Sequence, residues 1–406
     1  MVLSGVLAGG ALVAPGPAAA ATAAPTAKSP AWVRIAPGVA YRRLDIAARR
    51  GPVRAHLLTV DLRDPRVSVG LLYPGAVSAR APLSSLADAA GAVAGVNGDF
   101  FNITETQHPG TEPTGAPVGP AIAAGRELKG AVPDGQRFGP ALPSGTTTRE
   151  VLGVGEDGRA RLGQLALDGT VSTQSGTLPL RGLNQYALPV GSVGAFTSDW
   201  GAASRMRATC GTDARRAAPC SSRTYEVTVR DGRVVAVATA PGRGAIGPGT
   251  EVLVGREAGA AALRKLSVGD RVAVRHHLVD TRSGSAYRFA LGGYPVLRDQ
   301  APLPGLDEGT GAVRTAAGIA DDGHRMLLLA LDGAPEFRNG LTVAELAAVM
   351  RDAGCVDAFN LDGGGSSTLV TRGREAAHMT VRNHPSGGSE RAVPNGIGVF
   401  SRASGV

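Results

Sequence analysis

Apolar and polar residues alternate over much of the first part of the chain. The stretches "HLLTVDL" and "VSVGLLYP", within residues 31–75, have the two-residue period of paired strands. Further on, "YEVTVRDGRVVAVA" predicts a hairpin, because Asp231 and Gly232 supply the positive-φ residues of a tight turn. Residues 103–150 are rich in Gly, Pro and Thr without a clear period, which is typical of a long functional loop.

The most regular pattern is strand, helix, strand over residues 325–362. The apolar run "RMLLLALDG" predicts a buried strand, and "VDAFNL" predicts a second one. Between them, Thr342 and Glu345 fit a capping box for a helix that Gly354 ends. This spacing predicts a βαβ unit with two neighbouring parallel strands and a right-handed crossover.

Composition supports a strand-rich fold. The 406 residues include Gly 58 and Pro 27, with only 4% aromatic residues. We predict an α/β fold of the mixed α+β kind, a strand-rich mixed sheet in one elaborated domain over residues 28–402. A subdomain or an insertion around residues 210–290 is an alternative within that domain.

The first 27 residues carry no charged side chain, and their apolar stretch is followed by small residues. This predicts a signal peptide over residues 1–27 and a secreted or wall-associated protein. No later stretch has the length of an apolar membrane span, so we expect no integral membrane segment. The charge of +8 comes from scattered basic residues, which does not predict nucleic-acid binding. It fits attraction to anionic wall polymers and, equally well, a solvated arginine-rich surface.

Three cysteines are present. Cys210 and Cys220 flank a short loop, and an oxidising compartment would join them in a disulfide. Cys355 precedes an apolar strand and is expected to be a buried thiol.

Candidate chemistry lies where the predicted strands end. Parallel strands end at one edge of a sheet, so Asp332 and Asp362 should share a rim where ligands bind. Asp99 also follows a buried strand and is expected to join them.

The segment "NLDGGGSS" adds backbone without side chains beside Asp362. Its glycines can turn successive N–H groups inward as a nest for an oxyanion or a phosphate, with Ser366 as a hydroxyl donor. Arg314 and Arg391 are candidate cationic partners. Alternatively, the glycine triplet forms an inert turn and both arginines lie on the surface.

Six motifs together resemble the phosphodiester glycosidase family. "VNGDFFN", "LGGYPVL", "RTAAGI", "LALDG", "GCVDAFNLDGGGSSTLV" and "ERAVPNGIGVF" occur in the family's order, and the resemblance covers roughly residues 40–402. It implies a catalytic domain that cleaves a sugar, most simply one like N-acetylglucosamine, from the phosphate of a sugar-1-phosphodiester. The implied catalytic residues are Asp362, Asp332 and Asp99, and the implied substrate-binding residues are Asn97, Arg314, Asn360, Gly363, Gly364, Gly365, Ser366 and Arg391.

Three interpretations remain open. The first is a secreted glycosidase that requires no cofactor and acts on a phosphorylated glycan or a sugar-1-phosphodiester. The second is a non-catalytic protein of the same fold that binds wall polymer or exopolysaccharide. Ala334 favours it, because the family commonly has a basic residue there. The third is a metal-dependent hydrolase in which Asp99, Asp332 and Asp362 hold Ca²⁺ or Mg²⁺. The oligomeric state is left open.

Overall fold

The computed structural model describes residues 31–402, so the predicted signal peptide lies outside the described residues. Strands make up 41% of the structure and helices 11%, which confirms the strand-rich prediction but matches a mixed α/β class only loosely. The α-helices are α1 (Leu83–Ala90), α2 (Ala258–Leu263) and α3 (Val343–Asp352), and short 3₁₀-helices supply the other helical residues. The first twelve strands are β1 (Val33–Ala36), β2 (Val39–Ala48), β3 (Gly51–Asp61), β4 (Val67–Leu72), β5 (Ala94–Asn97), β6 (Ala121–Ala123), β7 (Arg126–Lys129), β8 (Glu150–Gly155), β9 (Ala160–Thr173), β10 (Gly176–Leu183), β11 (Val193–Phe196) and β12 (Thr224–Arg230). The remaining strands are β13 (Arg233–Ala238), β14 (Thr250–Arg256), β15 (Val272–Asp280), β16 (Tyr287–Gly292), β17 (Tyr294–Arg298), β18 (Ala301–Pro302), β19 (Thr315–Ala320), β20 (Arg325–Leu331), β21 (Asp357–Leu361), β22 (Leu369–Arg372), β23 (Met379–Val381) and β24 (Gly396–Ser401).

The strands form three sheets. The first has eight strands in the order β1-β2-β3-β20-β19-β21-β17-β18. The second follows the order β13-β12-β14-β11-β10-β9-β8-β16-β6-β7, with β15 paired to β9, and the third follows β23-β22-β5-β24-β4. Among the strand pairs of residues 31–402, β10 and β11 are parallel, and the other pairs are antiparallel.

The strand–helix–strand unit is present, but its strands are not neighbours. β20 and β21 both pair antiparallel with β19, so they run in the same direction with β19 between them. Helix α3 begins as predicted: Thr342 and Glu345 form the capping box. The βαβ prediction is therefore right on strand direction and wrong on adjacency. With strands about 4.8 Å apart, the ends of β20 and β21 are separated by about 10 Å.

Apolar side chains cover both faces of the eight-stranded sheet. Leu327 and Leu329 of β20 pack on one side with the buried residues of α3. Leu328, between them, faces the other side and packs with residues of β5 and β24, such as Val96 and Ile397. The third sheet is thereby held against the first, which brings the end of β5 to the end of β21.

A separate apolar cluster lies in the second sheet. It joins residues of β9 to β11, such as Val171 and Leu180, with residues of β12 and β14, such as Val227 and Leu253. The segment 210–290 thus shares a core with strands that precede it, and its status as a subdomain stays a prediction. The predicted disulfide between Cys210 and Cys220 is present, and Cys355 is a buried free thiol. In residues 31–402 no helix has the length and apolar character needed to cross a membrane.

Candidate active site

Two strand ends from different sheets meet at Asn97 and Asp362. The Asn97 side-chain amide donates to the Asp362 carbonyl over 2.7 Å, and the Asp362 N–H donates to the Gly98 carbonyl over 2.9 Å. The Thr315 hydroxyl, at the start of β19, donates to Asn97 Oδ1 over 2.8 Å. Both polar atoms of the buried Asn97 side chain have partners inside the protein, so it fixes the two strand ends to each other rather than facing a ligand.

Asp99 lies just beyond the end of β5 and is only 2% exposed. Its Oδ2 accepts the Gly119 N–H over 2.6 Å, and its own N–H donates to Asn395 Oδ1 over 2.9 Å. A Cβ on Gly292 would lie 2.5 Å from Oδ2, so this wall of the site requires a residue without a side chain. Burial raises the pKa of Asp99 to about 6.

Lys129, at the end of β7, organises the loop that contacts Asp99. Its buried ammonium group donates to three backbone carbonyls, those of Val118, Gly119 and Gly130. The positive charge opposes the rise in the pKa of Asp99, while burial lowers the pKa of Lys129 to about 7. Lys129 was not predicted as a site residue, and the only signal for it in the sequence is its place in the long loop-rich segment 103–150.

Asp362, which is half-buried, is the second carboxyl of the site. Its Oδ1 accepts the Gly363 N–H over 3.0 Å, and burial raises its pKa to about 6. The Ser366 side chain and the charge of Arg391 lower that pKa, whereas the charge of Asp99 raises it. The charge of Asp99 thus reaches the Asp362 carboxyl, and we call these two side chains the acid pair.

The predicted nest of N–H groups does not form at Gly363–Ser366. The Gly364 N–H donates to the Val313 carbonyl over 2.7 Å, and the Ser366 N–H donates to the Gly363 carbonyl over 3.1 Å. With the Gly363 N–H directed to Asp362, these three groups already have partners inside the protein. The glycines instead allow other groups to lie close to the backbone, since a Cβ on Gly365 would lie 2.4 Å from the Arg391 guanidinium.

Arg391 lies on the rim of the site. Its guanidinium donates to the Ser366 hydroxyl over 3.3 Å and lines a cavity of about 380 Å³. The other residues around this cavity are Gly365, Ser386, Gly387, Ser389 and Glu390. The rim therefore presents a cation and two hydroxyl side chains beside Asp362.

Arg314 is buried and donates to the Leu341 carbonyl over 3.0 Å and to the Thr310 carbonyl over 2.9 Å. Burial lowers its pKa, but no carboxylate of residues 31–402 forms an ion pair with it. Asn360 is also buried, and its two side-chain polar atoms have no hydrogen-bond partner in the described chain. In the pairing of β17 with β21, Asn360 lies opposite Tyr294.

The structure does not pair Asp332 with Asp362. The Asp332 carboxylate contacts His56 Nε2, on the adjacent strand β3, at 3.2 Å, and it accepts the Ala334 N–H over 2.9 Å. His56 Nδ1 in turn lies 2.8 Å from the Tyr41 hydroxyl. The physical reason is the intervening strand β19, which separates the two strand ends and leaves Asp332 turned toward β3. His56 and Tyr41 lie in ordinary alternating strands, so no motif could have identified them.

The three aspartates do not form a site for one ion. Within residues 31–402, the one group of three His, Cys, Asp or Glu side chains close enough for a metal is His108, Cys210 and Cys220. The two sulfur atoms of that group are joined in the disulfide, so they are not free thiolate ligands. The geometry thus gives no support to the predicted calcium or magnesium site at Asp99, Asp332 and Asp362.

Residues 223–400 match the family model described as phosphodiester glycosidase. The resemblance found in the motifs is confirmed over those residues. The matched segment begins just before β12 and includes Arg314, Asp332, Asp362 and Arg391. Asp99, the other member of the acid pair, lies outside it.

Two solved structures share the fold, and a third is similar at a lower score. A hypothetical protein from Synechocystis is 20% identical with a TM-score of 0.69, covering 90% of this chain and 62% of its own. A candidate exported protein from Burkholderia pseudomallei is 25% identical with a TM-score of 0.64, covering 86% of this chain and 74% of its own. The zebrafish N-acetylglucosamine-1-phosphodiester alpha-N-acetylglucosaminidase catalytic domain, auto-inhibited by its pro-peptide, is 16% identical with a TM-score of 0.44, covering 92% and 87%. This chain thus spans less than two thirds of the Synechocystis protein. No curated protein matches it.

Proposed function

We propose that this protein is an exported hydrolase that breaks the bond between the anomeric carbon and the phosphate of a sugar-1-phosphodiester. The observation that carries the proposal is the acid pair: Asp99 and Asp362 follow two strand ends that are joined by hydrogen bonds, and burial raises the pKa of each carboxyl to about 6. The charge of Asp99 raises the pKa of Asp362, which favours the state in which one carboxyl is ionised and the other is protonated. Such a pair suits glycoside cleavage, which needs two carboxyl groups in different protonation states.

The leaving group explains the cations around the acid pair. As the C–O bond breaks, both electrons leave with the phosphate oxygen, which becomes more negative. The guanidinium groups of Arg391 and Arg314 and the Ser366 hydroxyl can stabilise that charge. A phosphate is a weak base, so protonation of the leaving oxygen contributes less here than it does for an alkyl glycoside.

The ionised carboxylate supports the positive charge that develops at the anomeric carbon. A water molecule supplies the oxygen of the new C–O bond, and its proton passes to a carboxylate of the pair. The family domain supports an N-acetylglucosamine-like sugar as the substrate's glycosyl group. Three features support export: the uncharged first 27 residues, the disulfide, and the candidate exported protein among the similar structures.

The direct test is release of sugar from UDP-N-acetylglucosamine by the purified protein. We expect Asp99→Asn and Asp362→Asn to lower kcat/KM by about 10²–10⁴-fold, since each removes a group that acts in proton transfer or charge stabilisation. The matched control is Asp352→Asn at the exposed end of α3, which should leave the rate unchanged. Across pH, kcat/KM should form a bell with limbs on either side of about pH 6.

Two outcomes would count against catalysis. If folded protein leaves a panel of sugar-phosphodiester donors intact, the proposed hydrolysis is wrong. If the same protein binds anionic glycan and Asp362→Asn still binds it, the non-catalytic wall-polymer protein is the better interpretation.

A further inference from the structure

Buried polar atoms without hydrogen-bond partners are concentrated at one place in the molecule. Six of the eleven such side-chain atoms within residues 31–402 belong to Asp99, Arg137, Tyr294 and Asn360. Burying a polar group without a partner costs about 1–3 kcal/mol, and a protein tolerates several together where a ligand completes them.

Ring contacts and strand pairing join these residues into one cluster. Tyr294 lies opposite Asn360 in the pairing of β17 with β21. The Phe100 ring stacks on Tyr294 with centroids 5.8 Å apart. The Arg137 guanidinium lies 5.1 Å from the Phe100 ring centre and 5.5 Å from that of Tyr294. Because Phe100 follows Asp99, the cluster borders the acid pair.

Arg137 is half-buried, with buried Nε and Nη1 atoms, and it has no carboxylate partner, unlike three buried arginines. Each of those three is held by a glutamate: Arg205 by Glu226, Arg207 by Glu105 and Arg256 by Glu257. In the described chain, neither Arg137 nor Arg314 has such a partner.

Both unpaired arginines act on Tyr294. Their positive charges oppose the rise in the Tyr294 pKa that burial causes. A buried positive charge is stable only when it is paired, so the region between the two arginines favours an anion.

We propose that Arg137, Tyr294 and Asn360 form a pocket that binds an oxyanion of the substrate. Arg137 Nε and Nη1, the Tyr294 hydroxyl and the Asn360 amide would donate to it. The identity of the anion as part of a substrate rests on the proposed function. Two sources share this chemistry: the phosphate of the diester, and the carboxylate of an acidic sugar.

The placement of the arginines explains why both sources fit. Arg391 acts electrostatically on Asp362 at the rim, whereas Arg137 acts on Asp99 in the interior. The acid pair thus has a cation beside each of its members. A substrate with its phosphate at Arg391 would direct its sugar toward Arg137, and a substrate in the opposite orientation would direct its phosphate there.

The first experiment measures binding alone, by calorimetry with the full chain. The probes are inorganic phosphate and glucuronate, with glucose as the neutral probe. We expect Arg137→Gln to weaken binding of at least one anion by about tenfold or more, and Tyr294→Phe to weaken it several-fold. Arg264→Gln is the matched control, because that guanidinium also lies over a ring, 4.9 Å from that of Tyr225, away from the acid pair.

Thermal unfolding separates a binding role from a structural one. Arg137→Gln removes an unpaired buried charge, so without ligand it should melt at the same temperature as wild type or higher, and the rise in melting temperature that phosphate gives should shrink. A structural arginine would show a lower melting temperature instead. Should Arg137→Gln not fold, Tyr294→Phe, which loses only the hydroxyl, answers the same question.

Turnover then identifies the source of the anion. If Arg137→Gln slows hydrolysis of UDP-N-acetylglucosamine and UDP-glucuronic acid equally, the pocket binds phosphate; if it slows only the second, the pocket binds the sugar carboxylate. If Arg137→Gln and Tyr294→Phe both bind the two anions as tightly as wild type does, the proposed anion pocket is wrong, whether or not the protein is a hydrolase. Weaker anion binding in a protein that hydrolyses neither donor would leave the pocket standing and reject the proposed function.

Discussion

The raised pKa of the Asp362 carboxyl lowers the stability of the fold at neutral pH, although the proposed chemistry depends on this group. Its pKa near 6 means that the folded protein binds this proton more tightly than the unfolded chain, where an aspartate has a pKa near 3.9. Between about pH 4 and pH 6 the folded state therefore holds the proton while the unfolded state loses it. The free energy of unfolding falls as pH rises through that window, and at pH 7 the ionised carboxylate destabilises the fold.

Asp362→Asn should consequently make the protein more stable at pH 7 while it removes activity. We expect the free energy of unfolding at pH 7 to rise by about 2 kcal/mol relative to wild type, with little difference at pH 4. Urea denaturation at the two pH values measures this, and Asp352→Asn serves as the exposed control. A variant that loses as much stability as wild type between pH 4 and pH 7 would show that Asp362 is not the group responsible.

At the scale of single residues, the sequence located the side chains that follow strands but not their partners. Asp99 and Asp362 were identifiable because an acidic residue directly after a buried strand is a local pattern. Lys129 and Arg137 were not, because they lie in a segment without periodicity and reach Asp99 only through tertiary packing. His56 shows the same limit, since its contact with Asp332 joins residues 276 positions apart.

At the scale of elements, the helix start was predictable and the strand order was not. The capping box is written in four consecutive residues, so Thr342 and Glu345 could be assigned from the sequence alone. The insertion of β19 between β20 and β21 depends on pairing with a strand that precedes both in the chain. Asp332 and Asp362 were expected to share one rim, and that insertion explains why Asp332 contacts His56 of β3 there.

The glycine loop after β21 gives a prediction that separates backbone crowding from ligand positioning. A Cβ on Gly363 would lie 2.5 Å from the Val313 backbone carbonyl, which cannot move freely. Gly364 has a φ of 58° with open space around its Cβ, so alanine there causes backbone strain alone. A Cβ on Gly365 would meet only the end of the Arg391 side chain, which can shift.

We therefore expect the loss of stability to decrease in the order Gly363→Ala, Gly364→Ala, Gly365→Ala, from about 2–3 kcal/mol to under about 1 kcal/mol. The KM for UDP-N-acetylglucosamine should change in the opposite order. Gly365→Ala should raise it most, several-fold, because the added methyl group displaces Arg391. Urea denaturation and steady-state kinetics on the same preparations measure the two trends. Equal loss of stability for all three variants would show that the loop is not packed as described.

At the scale of the whole molecule, the site depends on segments far apart in the chain. The family match at residues 223–400 supplies Asp362 and Arg391, while Asp99, Lys129 and Arg137 come from residues before it. The segment around residues 102–115, which follows Asp99, contacts the loop that the disulfide closes between Cys210 and Cys220. Glu105 contacts Arg207 at 2.6 Å and His108 at 2.8 Å, and His108 Nε2 lies 2.8 Å from the Ala218 carbonyl within that loop.

The disulfide between Cys210 and Cys220 should stabilise this contact without taking part in the chemistry. Closing a loop of about ten residues contributes about 2–3 kcal/mol, so the double variant Cys210→Ser with Cys220→Ser should lose about that much free energy of unfolding. A thiol reductant should destabilise wild type by a similar amount and leave the double variant unaffected, since Cys355 is a free thiol in both. Below its melting temperature, the double variant should keep its activity per folded molecule, because neither the Asp99 nor the Asp362 network contains a cysteine. If the reductant lowers the melting temperature of the double variant as much as that of wild type, the stabilisation does not come from this disulfide.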